Sequence, residues 1–133
     1  GSTTGRAQGI CPIGWHVPSD CEFMFLENTL GMTVDQQNSF GWRGLSNQGL
    51  MLTTWAGFNT GTNSSGFTAL QDGRILAVSQ SYEHRGLSAW FWTSSPNFIG
   101  RWITYNNPSI YRSSSANVLG LGANALSVRC LKD

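Results

Sequence analysis

The last third of the chain places 28 residues, 97–124, between two pieces of strand-like sequence. Upstream stands Ala89-Trp90-Phe91-Trp92-Thr93-Ser94-Ser95, and downstream Leu126-Ser127-Val128-Arg129-Cys130-Leu131. The segment between them is rich in Ser, Asn, Gly, Ile and Tyr and holds no carboxylate, lysine or histidine. A stretch this polar and this long reads as disorder when it stands alone. Bounded on both sides by sequence of a buried type, it reads instead as an ordered surface held by a scaffold. That pattern points to a loop-rich fold carrying a binding face.

The 133 residues suffice for one domain with a real core. Residues 9–133 are assigned to that domain. Residues 1–8, rich in Gly and Thr, are assigned to a linker, an expression remnant or an edge strand. Charged residues make up 11%, well below the usual quarter, while Gly (16) and Trp (6) are abundant. The surface should therefore be neutral and polar. A net charge of +1 gives no electrostatic case for nucleic acid or for an anionic membrane as partner. No apolar run approaches the ~18 residues of a spanning helix, so direct membrane insertion is not expected.

Three cysteines, Cys11, Cys21 and Cys130, show no zinc or redox spacing. A bridge between Cys11 and Cys130 would close nearly the whole chain into a loop, worth roughly 4–5 kcal/mol in the chain-entropy model. Such a bridge implies an oxidising compartment. Cys21 would then be left over, and its position in a predicted helix reads as buried.

The clearest local signal is Ser19 followed three residues later by Glu22, a capping box, with Asp20 favourable at the positive helix end. Phe23, Leu26, Glu27 and Leu30 follow at helical spacing and Gly31 supplies a stop, which predicts a helix over 20–30 with Phe23, Leu26 and Leu30 facing the core. A short second helix is expected around 38–46. Residues 57–73 are nearly all turn chemistry and should form an ordered irregular loop pinned by Trp55, Phe58, Phe67, Ala69 and Leu70. Strands are expected at 74–78, 89–94 and 125–131, the first two joined by a hairpin-like turn through Glu83-His84-Arg85-Gly86.

Catalysis needs a nucleophile with a base, or paired carboxylates. His16 lies in a Pro-bounded turn and reads as a structural hydrogen-bonding residue; His84 lies in a charged turn and reads as solvated. Glu22 belongs to the helix cap, Asp20 and Glu27 read as helix surface, and Asp35, Asp72 and Glu83 are scattered. No calcium-loop spacing and no phosphate loop is present. No catalytic residue, metal site or cofactor is therefore assigned, and the chain is not expected to be an enzyme.

Five motifs stand in a shared order: Cys-Pro-Ile-Gly-Trp-His-Val-Pro-Ser-Asp (11–20), Gly-Trp-Arg-Gly (41–44), Thr-Asn-Ser-Ser-Gly-Phe-Thr-Ala-Leu (62–70), Phe-Trp-Thr-Ser-Ser (91–95) and Leu-Ser-Val-Arg-Cys (126–130). Together they resemble the Fibrobacter succinogenes major paralogous domain, a bacterial module, over about residues 9–133. The resemblance implies an α+β, C-type-lectin-like fold with two helices, a twisted and mainly antiparallel sheet and long ordered loops. It also supports a disulfide between Cys11 and Cys130. The chain departs from the family pattern at Cys21, usually small, at Phe23, usually Trp, and at Gln71, usually Pro. The Glu-Pro-Asn or Gln-Pro-Asp loop of sugar-binding lectins is missing, so carbohydrate binding does not follow from the fold. Formylglycine-generating oxidases share the broad fold but need an active-site cysteine pair, which this chain does not offer.

A narrower resemblance concerns the tail. Some members of this fold are variable proteins of diversity-generating retroelements, in which Asn codons just before a Ser-Val-Arg-Cys-like strand are rewritten. Mutating the first two bases of such codons never yields Gln, Glu, Lys, Met or Trp. These five types occur 17 times in residues 1–96, a rate that puts about five of them among residues 97–124, yet only Trp102 is there. Asn97, Asn106, Asn107, Asn117 and Asn124 fit unmutated codons. The resemblance implies an extracellular ligand-binding receptor or adhesin domain, displayed on a cell surface, pilus or phage particle. The expected partner is a protein or glycan on another cell or host. A fixed adhesive or structural module without diversification is the alternative.

Tyr and Trp give contact area at low entropic cost, while Ser and Asn adapt their hydrogen bonds. The expected ligand-binding residues are Phe98, Ile99, Arg101, Ile103, Tyr105, Asn106, Asn107, Ser109, Tyr111, Ser113, Ser114, Ser115, Asn117 and Leu119, with Arg101 or Arg112 as the charged contact. Alternation in a strand would turn about half of residues 102–105 inward. Trp102 is expected to be scaffold, and Trp15, Trp42, Trp90 and Trp92 are expected to pack rather than bind.

Overall fold

The computed structural model describes residues 6–44, 47–55, 60–76, 79–97, 99–113 and 124–133. The described elements run β1 (Trp15–His16), α1 (Asp20–Thr29), α2 (Val34–Asn38), β2 (Gly41–Arg43), α3 (Gln48–Met51), β3 (Arg74–Ile75), β4 (Tyr82–Glu83), β5 (Ser88–Trp92), β6 (Gly100–Thr104), β7 (Asn107–Arg112) and β8 (Leu131–Lys132). This is an α+β architecture with few helices and antiparallel strand pairing.

The capping box opens α1 as expected. Ser19 Oγ accepts from Glu22 N at 3.2 Å, and Ser19 N donates to Glu22 Oε2 at 2.8 Å. Phe23 and Leu30 are buried and Leu26 is half-buried against them. Cys21 is exposed, contrary to expectation. It sits about 100° around the helix from Asp20, off the stripe of Asp20, Phe23, Glu27 and Leu30 that meets the sheet.

The second helix lies at Val34–Asn38, not 38–46, because a second capping box sets its start: Gln36 N donates to Thr33 Oγ1 at 3.3 Å and Thr33 N to Gln36 Oε1 at 2.9 Å. The chain then extends into β2, and α3 follows as a single turn. Gly49 in α3 touches the sheet, since a Cβ there would lie 2.7 Å from Pro108 O.

The central sheet has the order β2-β7-β6-β5. Its inner face carries Ala89, Phe91, Ile103 and Ile110, which pack with Phe23, Leu30, Met32, Leu52 and Ala69 into the main core. The loop before β3 is pinned as expected by Trp55, whose Nε1 donates to Ala69 O at 2.7 Å, and by Phe67 against the core. Leu70 is exposed instead, and Phe58 lies outside the described residues.

The final strand expected at 125–131 is divided. Ala125 bridges Ile75, Ser127 bridges Phe91, and only Leu131 and Lys132 form a strand, pairing with β1. The Cys11–Cys130 disulfide staples this closing segment to the start of the domain. Ala7 forms an isolated bridge with Val17. No helix among the described residues is long and apolar enough to cross a membrane.

Candidate ligand-binding face

Strand alternation gives the central sheet two unlike faces. Inward, Arg43, Arg101 and Arg112 project from three adjacent strands onto α1, where they meet Glu27 and Asp20; all five residues are buried. Arg43 binds Glu27 through two parallel bonds of 2.7 Å, and Arg101 Nε donates to Glu27 Oε1 at 2.7 Å. Arg101 Nη2 lies 2.8 Å from Asp20 Oδ1. Arg112 forks onto Asp20 and donates to Asn38 O at 2.8 Å. Burial alone would raise the Asp20 pKa. The hydrogen bonds from Arg112 and the nearby Arg101 charge overcome this and hold the carboxyl below its ordinary value. For Arg43 burial is the larger influence and lowers its pKa, against the hydrogen bonds and charge of Glu27.

On the other face, one aromatic side chain from each strand stands at matching register. Trp90 of β5 faces Trp102 of β6, Trp102 faces Tyr111 of β7, and Tyr111 faces Trp42 of β2. Trp90 and Trp102 stack at 4.4 Å and 10°, and Trp42 reaches Trp102 at 4.7 Å and Tyr111 at 5.2 Å. At one end, Arg74 lies 4.5 Å over Trp90, His84 stacks on it at 6.3 Å, and Leu126 packs alongside, leaving Trp90 2% exposed. At the other end the row is open, with Trp42 37% exposed.

Beside the open end lies a groove of about 500 Å³ lined by Trp42, His84, Leu87, Trp102, Thr104, Tyr105, Asn106 and Asn107. The β6–β7 turn builds one wall. Tyr105 N donates to Leu87 O at 2.9 Å, fixing the turn to the residue before β5, and Asn107 Oδ1 accepts from Ser109 N at 2.9 Å. The indole Nε1 of Trp102 is buried without an acceptor among the described residues. Aromatic faces beside asparagine amides and an orphan N–H can accept a ligand by stacking and by neutral hydrogen bonds.

Of the residues expected to contact ligand, Tyr105, Asn106 and Asn107 line this groove, and Ser109 and Tyr111 continue along the outer face of β7. Ile99 is half-buried beside Thr93, whose Oγ1 donates to Ile99 O at 2.6 Å. Four residues stand elsewhere and are corrected. Arg101 is locked to Glu27, and Ile103 is core at 2% exposure. Ser113 is buried at 1% exposure, its Oγ accepting from Gly100 N at 2.7 Å. Arg112 is likewise held by Asp20 rather than offered to a ligand. Phe98, Ser114, Ser115, Asn117 and Leu119 lie outside the described residues. Trp42 and His84, expected to pack and to be solvated, line the groove instead. Pairing between β2 and β7 places Trp42 there, and no local pattern around Gly41-Trp42-Arg43 carries that information.

Comparison with known families settles where this arrangement belongs. The model described as the Fibrobacter succinogenes major domain matches residues 2–132. The chain belongs to this family. The match takes in nearly every element of this Fibrobacter succinogenes major domain, from the Ala7–Val17 bridge to β8, and begins within the residues set aside as a linker. No curated protein and no solved structure gives a significant match.

His16 takes the structural role expected of it. It is 1% exposed, with ring nitrogens 2.6 Å from Asp133 Oδ1 and 2.9 Å from Glu22 Oε1. Among the described residues, no group of three or more His, Cys, Asp and Glu could hold a metal ion.

Proposed function

We propose that this domain has a C-type-lectin-like fold and works as a ligand-binding module displayed outside the cell, on a cell surface, pilus or phage particle. Its ligand is a protein or glycan borne by another cell or host, and it binds without catalysis. Specificity resides in residues 97–124, where retroelement copying of Asn codons rewrites the positions that face outward.

The observation that carries this reading is the split of the segment by strand alternation. Tyr105, Asn106, Asn107, Ser109 and Tyr111 fall on the turn and outer face beside an open aromatic groove. The alternate residues of the same two strands, Arg101, Ile103, Ile110 and Arg112, are buried against α1 and the core. Outward positions can change with the buried ion pairs and core left intact, and Asn106 and Asn107 are the residue type from which such rewriting starts. The disulfide supports an oxidising location.

The second reading is a fixed adhesive module with one constant partner. Arg101 and Arg112 favour it, because indiscriminate replacement across the segment would leave Asp20 and Glu27 buried and unpaired. Grafting residues 97–124 onto a sister domain, and profiling both on protein and glycan arrays, tests the main reading. The recipient should acquire the donor's binding profile; a recipient that keeps its own profile contradicts it.

A further inference from the structure

A second groove lies away from the β6–β7 turn, between α1 and the closing segment that carries Cys130. Its volume is about 540 Å³, within the range of small-ligand clefts. The apolar lining is mainly aromatic, with Trp15, Phe23, Phe25 and Phe67 beside Leu26 and Leu131. Two of these are displayed rather than spent on the core, Phe25 at 71% and Trp15 at 39% exposure. With Leu131, 43% exposed in the same groove, they make a shared apolar patch of the kind that marks a ligand or partner surface.

The charges around this groove decide what fits it. Glu22 is its one acidic residue, and that carboxylate is already occupied. It accepts from Ser19 N at 2.8 Å and Ser19 Oγ at 2.9 Å, and lies 2.9 Å from His16 Nε2. Arg129 and Lys132 line the same groove, and neither has an anionic partner among the described residues. The Arg129 guanidinium rests 4.9 Å over the Phe67 ring, which orients it at the groove wall without neutralising it. The free charge of the groove is therefore positive, set against an aromatic lining.

We infer that this groove binds a small apolar carboxylate, an aromatic or medium-chain acid. Its apolar body lies against Trp15, Phe23 and Phe25, and its carboxylate meets Arg129 and Lys132. None of these residues belongs to 97–124, so the site does not depend on the face proposed above and does not vary with it.

The test is titration of the intact domain with 3-phenylpropionate, followed by amide and indole N–H chemical shifts, with 3-phenylpropylamine as the cation of the same apolar body. The carboxylate should give saturable shifts at the Trp15 indole and at residues 25, 26, 129 and 132. The amine should bind at least tenfold more weakly. Arg129→Gln and Phe25→Ser, both at exposed positions, should each weaken carboxylate binding fivefold or more while the remaining spectrum stays that of the folded domain. Equal binding of acid and amine would overturn the inference. So would shifts centred on Trp42 and Trp102, or no saturable shift at millimolar carboxylate.

Discussion

Arg101 Nε donates to Glu27 Oε1 at 2.7 Å between side chains that are each 1% exposed, joining β6 to α1 across 74 residues of sequence. Glu27 also takes both terminal nitrogens of Arg43, so one carboxylate ties two strands to the helix. Glu27→Ala should leave the Arg43 guanidinium buried without a carboxylate and Arg101 with Asp20 alone, destabilising the domain by about 3–5 kcal/mol. Urea denaturation measures this, and a loss below about 1 kcal/mol would show that the pairing is not needed for stability.

Acid should loosen the same joint through Asp20. Its folded-state pKa lies below the ordinary value, despite burial, because Arg112 and Arg101 favour the charged form. The stabilisation is fully present above the unfolded carboxylate pKa of about 4 and is lost as pH falls through the lower folded value. Glu22, also depressed, has the same sign: burial acts to raise it, but the Ser19 backbone bond and His16 prevail. Melting temperature should therefore fall below about pH 4, and Asp20→Asn should flatten that fall. An unchanged acid profile in Asp20→Asn would remove this residue from the account.

The Cys11–Cys130 bridge spans a sequence separation of 119. In the chain-entropy model its loss costs about 4–5 kcal/mol, so a Cys11→Ala, Cys130→Ala variant should unfold at markedly lower denaturant. Cys21 is the exposed free thiol, and a thiol reagent should label one cysteine per native chain without reductant. Three labelled thiols, or none, would contradict the arrangement.

The aromatic row should divide into scaffold and contact. Trp90 is 2% exposed beneath Arg74, His84 and Leu126, and Trp90→Ala should cost about 3–5 kcal/mol. Trp42, at the open end and 37% exposed, should cost about 1 kcal/mol on the same change. Equal losses would mean the groove end is as structural as the buried end.

What could be read from the sequence was local. Ser19 and Glu22 announced α1 because a capping box is written in four consecutive residues. Thr33 and Gln36 mark the start of α2 by the same rule, a signal that places the helix ahead of the weakly marked stretch 38–46. What escaped was non-local. Asp20 and Glu27 looked like a solvated helix face because their partners lie on strands up to 92 residues away. One clue existed: Arg101 stands two residues from Ile103, and Arg112 two from Ile110, so strand alternation already placed both arginines on the core side. The groove was half legible, as Tyr105, Asn106 and Asn107 lay in the segment singled out. Trp42 and His84 join it only through pairing and stacking across the sheet.

Sequencing this locus across a natural population of its source tests the central claim most directly. The account predicts variation at codons 105, 106, 107, 109 and 111, matched to adenines in a nearby template repeat. Codons 101, 103, 110 and 112 should stay constant because their side chains hold the sheet to α1 and the core. A tail as uniform as residues 6–96, or variation that strikes Arg101 and Arg112 as often as Asn106, would contradict it.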